Sequence, residues 1–390
     1  MEGKSDNKMI KLYPKQQEEV DIAIPNWFYR MKMGTGKTIV AIAHYKKFFE
    51  GHKVLVVAPK AVQLSGSWED TFEAMGVDKT LVKVIRTDDV KKIDLSIVKN
   101  AFIIVDEAHK FKNMSSQRTK ALLKILKYAD GFIMLSGTPI DSKLDDLESY
   151  ALAFQHVKTH KEFKENYMVQ KTLPYRPFPF YEVGKNKDKL VSWWQSVTSN
   201  VVTLNDIAEL PEVIGNTINL KRSSEYRKSL SSYKKDDKMI FESPVERHWW
   251  QRQNQNTKAK LDWLKDISEE YEQDGMIIFY NTSSELEALK TLFNDAGEIN
   301  GQKHVNHNQG VLLVQIQAGG AGLTLNEYQH AIWYSLPYGF IDFDQSKYRN
   351  YRVGQTKKVT RDYLIVNGTI DDKILDALNH KKDFNARLES

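Results

Sequence analysis

The first third of the chain contains continuous apolar segments that alternate with segments of helical spacing. The apolar segments Lys53–Ala58, Ala101–Val105 and Gly131–Leu135 predict strands, and Thr38–Phe49 and Gln117–Tyr128 predict helices. Strands that are apolar on both faces and joined through helices favour a parallel sheet. Ligands bind such sheets at the carboxyl ends of the strands, so polar residues that directly follow these strands are expected to share one edge.

The chain has 390 residues, enough for two or three domains, and a formal net charge of +5. It contains no cysteine, which excludes disulfides and thiolate metal sites and suits a reducing cytosol. The start, Met1 to Lys8, is polar, and no stretch approaches the roughly 18 to 20 apolar residues that a membrane span needs. We therefore expect a cytoplasmic protein with no membrane partner.

A glycine loop precedes the first predicted helix. Backbone N–H groups around Gly34 and Gly36 can cradle phosphates, Lys37 can reach the terminal phosphates, and the Thr38 hydroxyl can ligate Mg²⁺. The general pattern has a further glycine where this chain has Met31. The loop predicts a site for ATP.

An acidic pair follows the apolar strand Ala101–Val105. Asp106 is the candidate partner of Mg²⁺ through its water shell, and Glu107 is the candidate base for the attacking water. The alternative is a surface acidic pair at the start of a helix, which the preceding buried strand disfavours. Together with the glycine loop, the pair predicts ATP hydrolysis.

The middle of the chain is basic and rich in tryptophan. Ala153 to Lys260 contains 19 Lys or Arg against 12 Asp or Glu. Four of the eight tryptophans also lie there: Trp193, Trp194, Trp249 and Trp250. Lysines can offset phosphate charge and aromatic rings can stack on bases, so these residues are candidates for nucleic-acid contact. Packing in a small core and a solvated lysine face are the alternatives.

With these motifs in order, the chain resembles the superfamily 2 DEAH-type helicases and ATPases, and is most similar to their SWI/SNF-type branch in a compact, phage-like version. Asp106 to His109 spells the acidic motif, and Leu204 to Pro211 resembles the linker between the two motor lobes. The resemblance implies further roles: adenine recognition by Gln16, contact with the nucleic-acid backbone by Lys60, and coupling of hydrolysis to movement by His109, Ser136 and Thr138.

A second lobe is predicted from about Lys258. Strands at Gly275–Tyr280 and Gly310–Gln315 flank a helix at Ser284–Phe293, and only a brief loop is expected between Phe293 and Gly310. In the family, the glycine-rich turn that follows senses ATP and nucleic acid. The resemblance therefore makes Gly320, Gly322 and Thr324 candidate coupling residues.

The segment Asp344–Gln355 carries two arginines. On a helix, Gln345, Arg349 and Arg352 would share one face because they are spaced four and three residues apart. The segment resembles the final motif of the family, which implies that Gln345 binds nucleotide and that both guanidinium groups stabilise charge on the transferring phosphoryl group. A surface arginine helix is the alternative, and Tyr348 replaces the usual glycine.

The sequence therefore predicts an α/β fold with two RecA-like P-loop lobes on parallel sheets and an inserted, mostly helical linker region. The expected domains are 1–152, an ATP-binding lobe; 153–257, a basic insertion and linker; and 258–390, a helicase lobe. We expect an ATP- and Mg²⁺-dependent DNA helicase or translocase that acts on duplex or branched DNA largely independently of sequence, in a phage or bacterial cell.

Three alternatives remain open at this stage: translocation on duplex DNA without strand separation, RNA unwinding, and an ATP-dependent switch that binds partners without moving. Stimulation of ATPase activity by different nucleic acids distinguishes them. A protein partner also remains unidentified.

Overall fold

The computed structural model describes residues 10–140, 143–172, 178–224, 246, 249–250, 252, 257–268, 271, 275–306, 310–317 and 325–380. The chain forms two compact units, Met1–Glu209 and Leu210–Ser390. The proposed boundaries at 152 and 257 stay a prediction.

The first unit is built on a parallel sheet of five strands. Their order across the sheet is β1-β5-β4-β2-β3, and every neighbouring pair is parallel. The strands are β1 Trp27–Tyr29, β2 Lys53–Ala58, β3 Val82–Arg86, β4 Ala101–Val105 and β5 Gly131–Leu135. The central strands β4 and β5 are buried along their whole length. The predicted parallel sheet is confirmed.

Helices cover this sheet and continue beyond it. They are α1 Pro14–Asp21, α2 Lys37–Phe48, α3 Lys60–Ser65, α4 Ser67–Ala74, α5 Leu95–Val98, α6 Gln117–Leu126, α7 Leu147–Ala153, α8 His160–Tyr167 and α9 Lys187–Ser196. Short 3₁₀ turns lie at Lys79–Leu81, Thr87–Lys92, Ala108–Phe111, Leu144–Asp146 and Leu204–Asp206. Between α8 and α9 the chain forms an antiparallel hairpin, β6 Met168–Lys171 with β7 Phe180–Val183. The described part of the insertion after β5 thus combines helices with a two-stranded antiparallel hairpin, and its mostly helical character stays a prediction.

The chain then returns to the edge of the first sheet. Phe28 N donates to Val197 O at 3.0 Å, and Lys32 N donates to Val202 O at 2.9 Å. The returning segment therefore satisfies backbone groups of β1 that would otherwise lie on an open edge. No local pattern in the sequence indicated this pairing.

The second unit is built on a sheet of seven strands. The strands are β8 Val213–Leu220, β9 Met276–Tyr280, β10 Gly297–Ile299, β11 His304–Val305, β12 Val311–Gln315, β13 His330–Trp333 and β14 Val359–Val366. Their order is β11-β10-β12-β9-β13-β14-β8, with only β11 antiparallel to its neighbour. The expectation of only a loop between Phe293 and Gly310 is wrong, because β10 continues the sheet there beside β12.

Four helices accompany the second sheet in the described residues: α10 Thr257–Ser268, α11 Ser283–Lys290, α12 Phe340–Lys347 and α13 Ile370–Asn379. Lys260 of α10 lies 3.5 Å from Asp371 of α13, and both side chains are buried. This buried ion pair fixes α10 against α13, because separating the helices would leave an uncompensated buried charge. Among the described helices, none combines the length and apolar character of a membrane span.

A buried histidine in the first unit is held in its neutral form. The Tyr29 hydroxyl lies 2.9 Å from His44 Nδ1, and His44 Nε2 lies 3.1 Å from the Pro25 carbonyl oxygen. The carbonyl can only accept, so Nε2 carries the proton and Nδ1 accepts from Tyr29. Burial lowers the pKa of His44 to about 4, against an ordinary value of 6.5.

We expect His44 to make the stability of the first unit depend on pH. Above pH 6.5 the residue is neutral in both folded and unfolded chains, so it imposes no penalty. Between pH 6.5 and 4 only the unfolded chain gains the proton, so folding stability falls, by about 2 kcal/mol at pH 5. Calorimetry of wild type and His44→Gln from pH 7.5 to 4.5 measures the difference. His52→Gln, at an exposed histidine, is the control, and equal pH slopes for wild type and His44→Gln would contradict the expectation.

Candidate active site

Three loops of the first unit meet at the carboxyl ends of adjacent strands. The glycine loop follows β1, Asp106 follows β4, and Ser136 follows β5. Asp106 N donates to Val57 O at 2.8 Å, and Ser136 N donates to Tyr29 O at 3.1 Å. The hydrogen bonds of the sheet therefore continue to Asp106 and Ser136, the first residues after β4 and β5. They fix the backbone positions of these two residues.

The glycine loop has the backbone that a phosphate cradle requires. Gly34 and Gly36 have φ values of 76° and 78°, in the left-handed region that favours glycine. Gly36 directly precedes α2, a helix of 12 residues that begins at Lys37. The N-terminal N–H groups and dipole of α2 therefore face the region where the loop turns, which suits an anion.

Gln16 fixes the conformation of this loop. Its Nε2 donates to Thr35 O at 2.7 Å, and its Oε1 accepts from Tyr13 N at 2.9 Å. The Thr35 hydroxyl in turn donates to Lys32 O at 2.7 Å. Adenine recognition by Gln16 stays a prediction. Sequence reasoning missed the role of Gln16 and Thr35 in fixing the loop, and the only signal for Thr35 was its position between two glycines.

A buried carboxylate lies at the centre of the site. Glu107 Oε1 lies 3.3 Å from Lys37 Nζ, and Glu107 Oε2 lies 3.3 Å from His109 Nδ1. Burial alone would raise the pKa of Glu107, but the Lys37 charge and the His109 hydrogen bond outweigh it and hold the pKa well below its usual range. Glu107 is thus ionised, although its side chain is almost fully buried.

The same histidine connects this carboxylate to the loop after β5. His109 Nδ1 also lies 3.1 Å from Ser136 Oγ, and Ser136 Oγ accepts from Thr138 N at 3.1 Å. Three residues predicted to couple hydrolysis to movement are therefore brought together with the predicted base. Their roles stay a prediction.

Asp106 lies beside this network but in a different electrostatic state. Its Oδ1 accepts from Glu107 N at 2.9 Å. Burial, with the neighbouring Glu107 charge, raises the pKa of Asp106 to about 6. A divalent cation would compensate the desolvated charge, and the hydroxyl of Thr38 in the first turn of α2 adds a second hard oxygen. This donor set fits Mg²⁺, which typically takes one or two protein oxygens alongside substrate phosphates.

The arginine segment of the second unit does not continue as a helix. Helix α12 ends at Lys347, so it contains Gln345, whereas Arg349 and Arg352 follow in turns. The carbonyl of Arg349 accepts from Leu325 N at 2.8 Å instead of joining another helical turn. The predicted helical face shared by the three residues is therefore wrong, because tertiary hydrogen bonding ends the helix.

Both arginines are nevertheless held in enclosed surroundings. Arg349 is 2% exposed. Arg352 Nε donates to Tyr348 O at 2.7 Å, and burial lowers the pKa of Arg352 to about 10. The Tyr348 carbonyl thus orients the Arg352 guanidinium group. Tyr348 is the residue that replaces the usual glycine of the family motif.

The tryptophan candidates separate into two groups. Trp194 is 4% exposed, with its ring 5.0 Å from Phe28 and 5.4 Å from Tyr150. Its proposed contact with nucleic acid is corrected to core packing, the alternative that the sequence left open. Trp193 is partly buried and stacks on His156 at 4.4 Å.

The remaining candidates lie on the surface or outside the described residues. Lys60 is exposed at the start of α3, directly beyond β2. Trp249 is 54% exposed, and Trp250 is partly buried. Gly320, Gly322 and Thr324 lie outside the described residues.

Comparison with protein families gives a match to the SNF2-related domain over residues 79–285, more than half of the chain. The chain belongs to the SNF2-related family. This match includes the Asp106–His109 and Ser136–Pro139 motifs, which the structure places around one buried carboxylate.

Curated relatives extend the likeness of this SNF2-related chain beyond that domain. It is 26% identical to the SWI/SNF-related matrix-associated actin-dependent regulator of chromatin subfamily A-like protein 1 of Xenopus laevis, over 96% of the chain and 44% of the relative. It is 23% identical to the DNA annealing helicase and endonuclease ZRANB3 of Bos taurus, over 96% of the chain and 40% of the relative. The chain thus spans less than half the length of these relatives.

A solved structure is also similar to the SNF2-related chain. The Sulfolobus solfataricus SWI2/SNF2 ATPase core, solved in complex with dsDNA, has 19% identity and a TM-score of 0.43. The alignment covers 96% of this chain and 92% of that one.

We expect Gly36→Ala to destabilise the first unit more than Gly51→Ala does. Both glycines have positive φ, 78° and 86°, so both variants carry backbone strain of about 1–2 kcal/mol. At Gly51 no atom lies within 4 Å of an added Cβ, whereas at Gly36 the Cβ would collide with Gln16 Nε2. The displaced amide would lose its buried bond to Thr35, at a further cost of about 1–3 kcal/mol.

Thermal and urea unfolding of the two variants measure this difference. In a Gln16→Ala background the collision is absent, so Gly36→Ala should then cost no more than Gly51→Ala. An equal extra cost in both backgrounds would show that the contact with Gln16 is not its cause.

Proposed function

We propose that this SNF2-related protein is an ATP-dependent DNA translocase that remodels or unwinds duplex or branched DNA. The observation that carries the proposal is the buried network in which Glu107 contacts both Lys37 and His109, and His109 contacts Ser136. It combines a phosphate-binding lysine, a carboxylate base and a loop predicted to couple hydrolysis to movement. The names of the relatives, which include a DNA annealing helicase, support DNA as the substrate.

The residues divide the hydrolytic work as follows. The glycine loop, the start of α2 and Lys37 bind the phosphates of ATP. Thr38 and Asp106 would hold Mg²⁺, which supplies charge neutralisation for the phosphates. Glu107 orients the attacking water and accepts its proton.

The contact between Lys37 and Glu107 suggests how the base becomes active. In the structure the ammonium group lowers the basicity of the carboxylate. Bound phosphate competes for that ammonium, so nucleotide binding would weaken the contact and make Glu107 a stronger base. His109 keeps the carboxylate oriented during this exchange and passes the change to Ser136.

The proposed contact with DNA is electrostatic and largely independent of sequence. Lys60, exposed beyond the carboxyl end of β2, would contact the phosphate backbone. Arg349 and Arg352 of the second unit would stabilise charge on the transferring phosphoryl group, and Gln345 would contribute to nucleotide binding. Directional movement would follow from repeated cycles of binding, hydrolysis and release.

The first test measures the ATPase rate with no nucleic acid, single-stranded DNA, duplex DNA, a branched DNA junction and RNA. We expect duplex or junction DNA to stimulate most, and Glu107→Gln to lower the stimulated rate by about 10²- to 10⁴-fold because the amide cannot accept the proton. Nucleotide binding by Glu107→Gln is measured in parallel, as the control for an intact loop.

The outcomes separate the alternatives. Release of a labelled strand from duplex or junction DNA would support unwinding, whereas stimulation by duplex without strand release would support translocation alone. Stimulation by RNA over DNA would replace the DNA assignment with RNA unwinding. A rate that no nucleic acid stimulates would contradict a motor and favour an ATP-dependent switch.

We expect Arg349→Lys and Arg352→Lys to lower kcat while leaving nucleotide affinity nearly unchanged. Lysine keeps the charge but lacks the planar guanidinium group, and complete loss of such an arginine costs roughly 10³- to 10⁵-fold in rate. Arg222→Lys is the matched control, because Arg222 is partly exposed and donates to the backbone carbonyl of Gly368 at 3.3 Å, away from the Gln345–Gln355 segment in the sequence.

Melting temperatures are needed because Arg349 is buried and Arg352 is partly buried. A fall in kcat at an unchanged melting temperature supports the catalytic role. A loss of stability with kcat preserved in the folded fraction would assign the arginines to packing.

A further inference from the structure

The hairpin of the insertion carries exposed aromatic rings that the core does not use. Phe178 is 77% exposed and Tyr181 is 40% exposed. Both lie on or beside β7, whose last residue, Val183, is buried in the core of the first unit. An isolated exposed ring needs no explanation, but two on one short hairpin of an insertion form a local apolar feature.

Tyr181 is held in a fixed orientation. Its hydroxyl donates to Gln170 Oε1 at 3.0 Å, across the hairpin. The ammonium group of Lys164 on α8 lies 3.3 Å from the centre of its ring. Lys164 covers one face of the ring, and the ring is oriented before any ligand binds, which lowers the entropic cost of stacking against its opposite face.

The hairpin is also fixed to the rest of the unit. Gly184 N and Lys185 N both donate to Tyr167 O, at 2.8 and 2.9 Å, which attaches the end of β7 to the end of α8. Val183 N donates to the carboxylate of Asp145 at 2.6 Å. These bonds make the hairpin and α8 one rigid surface.

Positive charge lies beside the Tyr181 ring. Lys161, Lys164 and Lys185 line an open groove with Tyr181, and Glu165 is the acidic residue among the groove-lining side chains. Glu165 lies 3.8 Å from Lys161, a long and solvent-exposed contact that contributes little. The groove therefore has a net positive charge next to the aromatic ring of Tyr181, and basic charge beside aromatic rings is the combination by which proteins bind single strands independently of sequence.

We propose that this hairpin surface, formed by Lys161, Lys164, Lys185, Phe178 and Tyr181, binds single-stranded nucleic acid. The rings stack on bases and the lysines contact successive phosphates. The inference deepens the proposed function, on which it rests: it assigns to the insertion the recognition of the unpaired strand of a branched DNA. Stacking requires unpaired bases, so a fully paired duplex would use only the lysines.

The test measures binding of labelled single-stranded and duplex DNA to the full chain without nucleotide, by fluorescence anisotropy. Phe178→Ala/Tyr181→Ala should weaken single-strand binding by about tenfold or more and leave its salt dependence unchanged. Lys161→Gln/Lys164→Gln/Lys185→Gln should also weaken binding and reduce the slope of log affinity against log salt by about 2, since each phosphate contact contributes about 0.7.

A second face of the same unit supplies matched controls. Lys120, Lys124 and Lys127 are exposed on and just after α6, next to Tyr128, which is 52% exposed. Tyr128→Ala removes one exposed ring from this face, and Lys120→Gln/Lys124→Gln/Lys127→Gln removes three lysines, the number removed from the hairpin surface; both variants should leave single-strand affinity within about twofold. Melting temperatures show that each variant is folded.

The outcomes distinguish this inference from the proposed function. Single-strand affinity that the hairpin variants leave unchanged would overturn the inference, even if duplex DNA stimulates the wild-type ATPase. Equal losses from both faces would also overturn it, in favour of diffuse charge. Binding of a labelled polyglutamate peptide that depends on the hairpin, with no hairpin dependence for DNA, would assign the surface to an acidic protein segment. Loss confined to the hairpin variants supports the inference, even if wild type lacks ATPase stimulation.

Discussion

The burial of the Glu107 carboxylate is the constraint on which the rest of the site depends. A lone ionised carboxylate in the protein interior costs several kcal/mol, so it requires partners with good geometry. Lys37 and His109 supply them from two sides. Glu107 also has a φ of 49°, an uncommon conformation for a residue with a side chain. The strain and the buried charge are tolerated together because the surrounding strand ends leave the backbone few alternatives.

This constraint propagates through the sheet because the motif-bearing strands are neighbours. An added Cβ at Gly137 would lie 3.1 Å from Met31 O, so the loop after β5 passes directly against the strand that leads into the glycine loop. Ser136 and Thr138 therefore cannot move far without disturbing either His109 or the backbone near Met31. The site behaves as one hydrogen-bonded layer along the edge of the sheet.

The parts that sequence predicted well are those encoded locally. Strands β2, β4 and β5 have the predicted bounds because a continuous apolar run has few other solutions, and the residues that follow them necessarily meet at one edge. The errors concern tertiary competition. Helix α12 ends at Lys347, and the Arg349 carbonyl beyond it accepts from Leu325 N instead of continuing the helix; Trp194 is buried because Phe28 and Tyr150 enclose it. Leu325, Phe28 and Tyr150 are all distant in sequence from the residues they contact, so hydrophobic periodicity contains no signal for these contacts.

The non-local pairing at the edge of the first sheet has a further consequence. Glu19 on α1 is fully buried and accepts from Asn200 N at 3.1 Å and from Asn200 Nδ2 at 3.0 Å. On the same helix of eight residues, Gln16 bonds the glycine loop at Thr35. Helix α1 thus holds the nucleotide loop with one side chain and the segment shortly before Leu210, where the first unit ends, with another. A shift of α1 large enough to release Gln16 would also separate the buried Glu19 carboxylate from its two Asn200 donors, which is costly. The glycine loop and the segment before Leu210 are therefore expected to move with α1 as one body, so the returning segment supports the glycine loop although none of the predicted site residues lies in it.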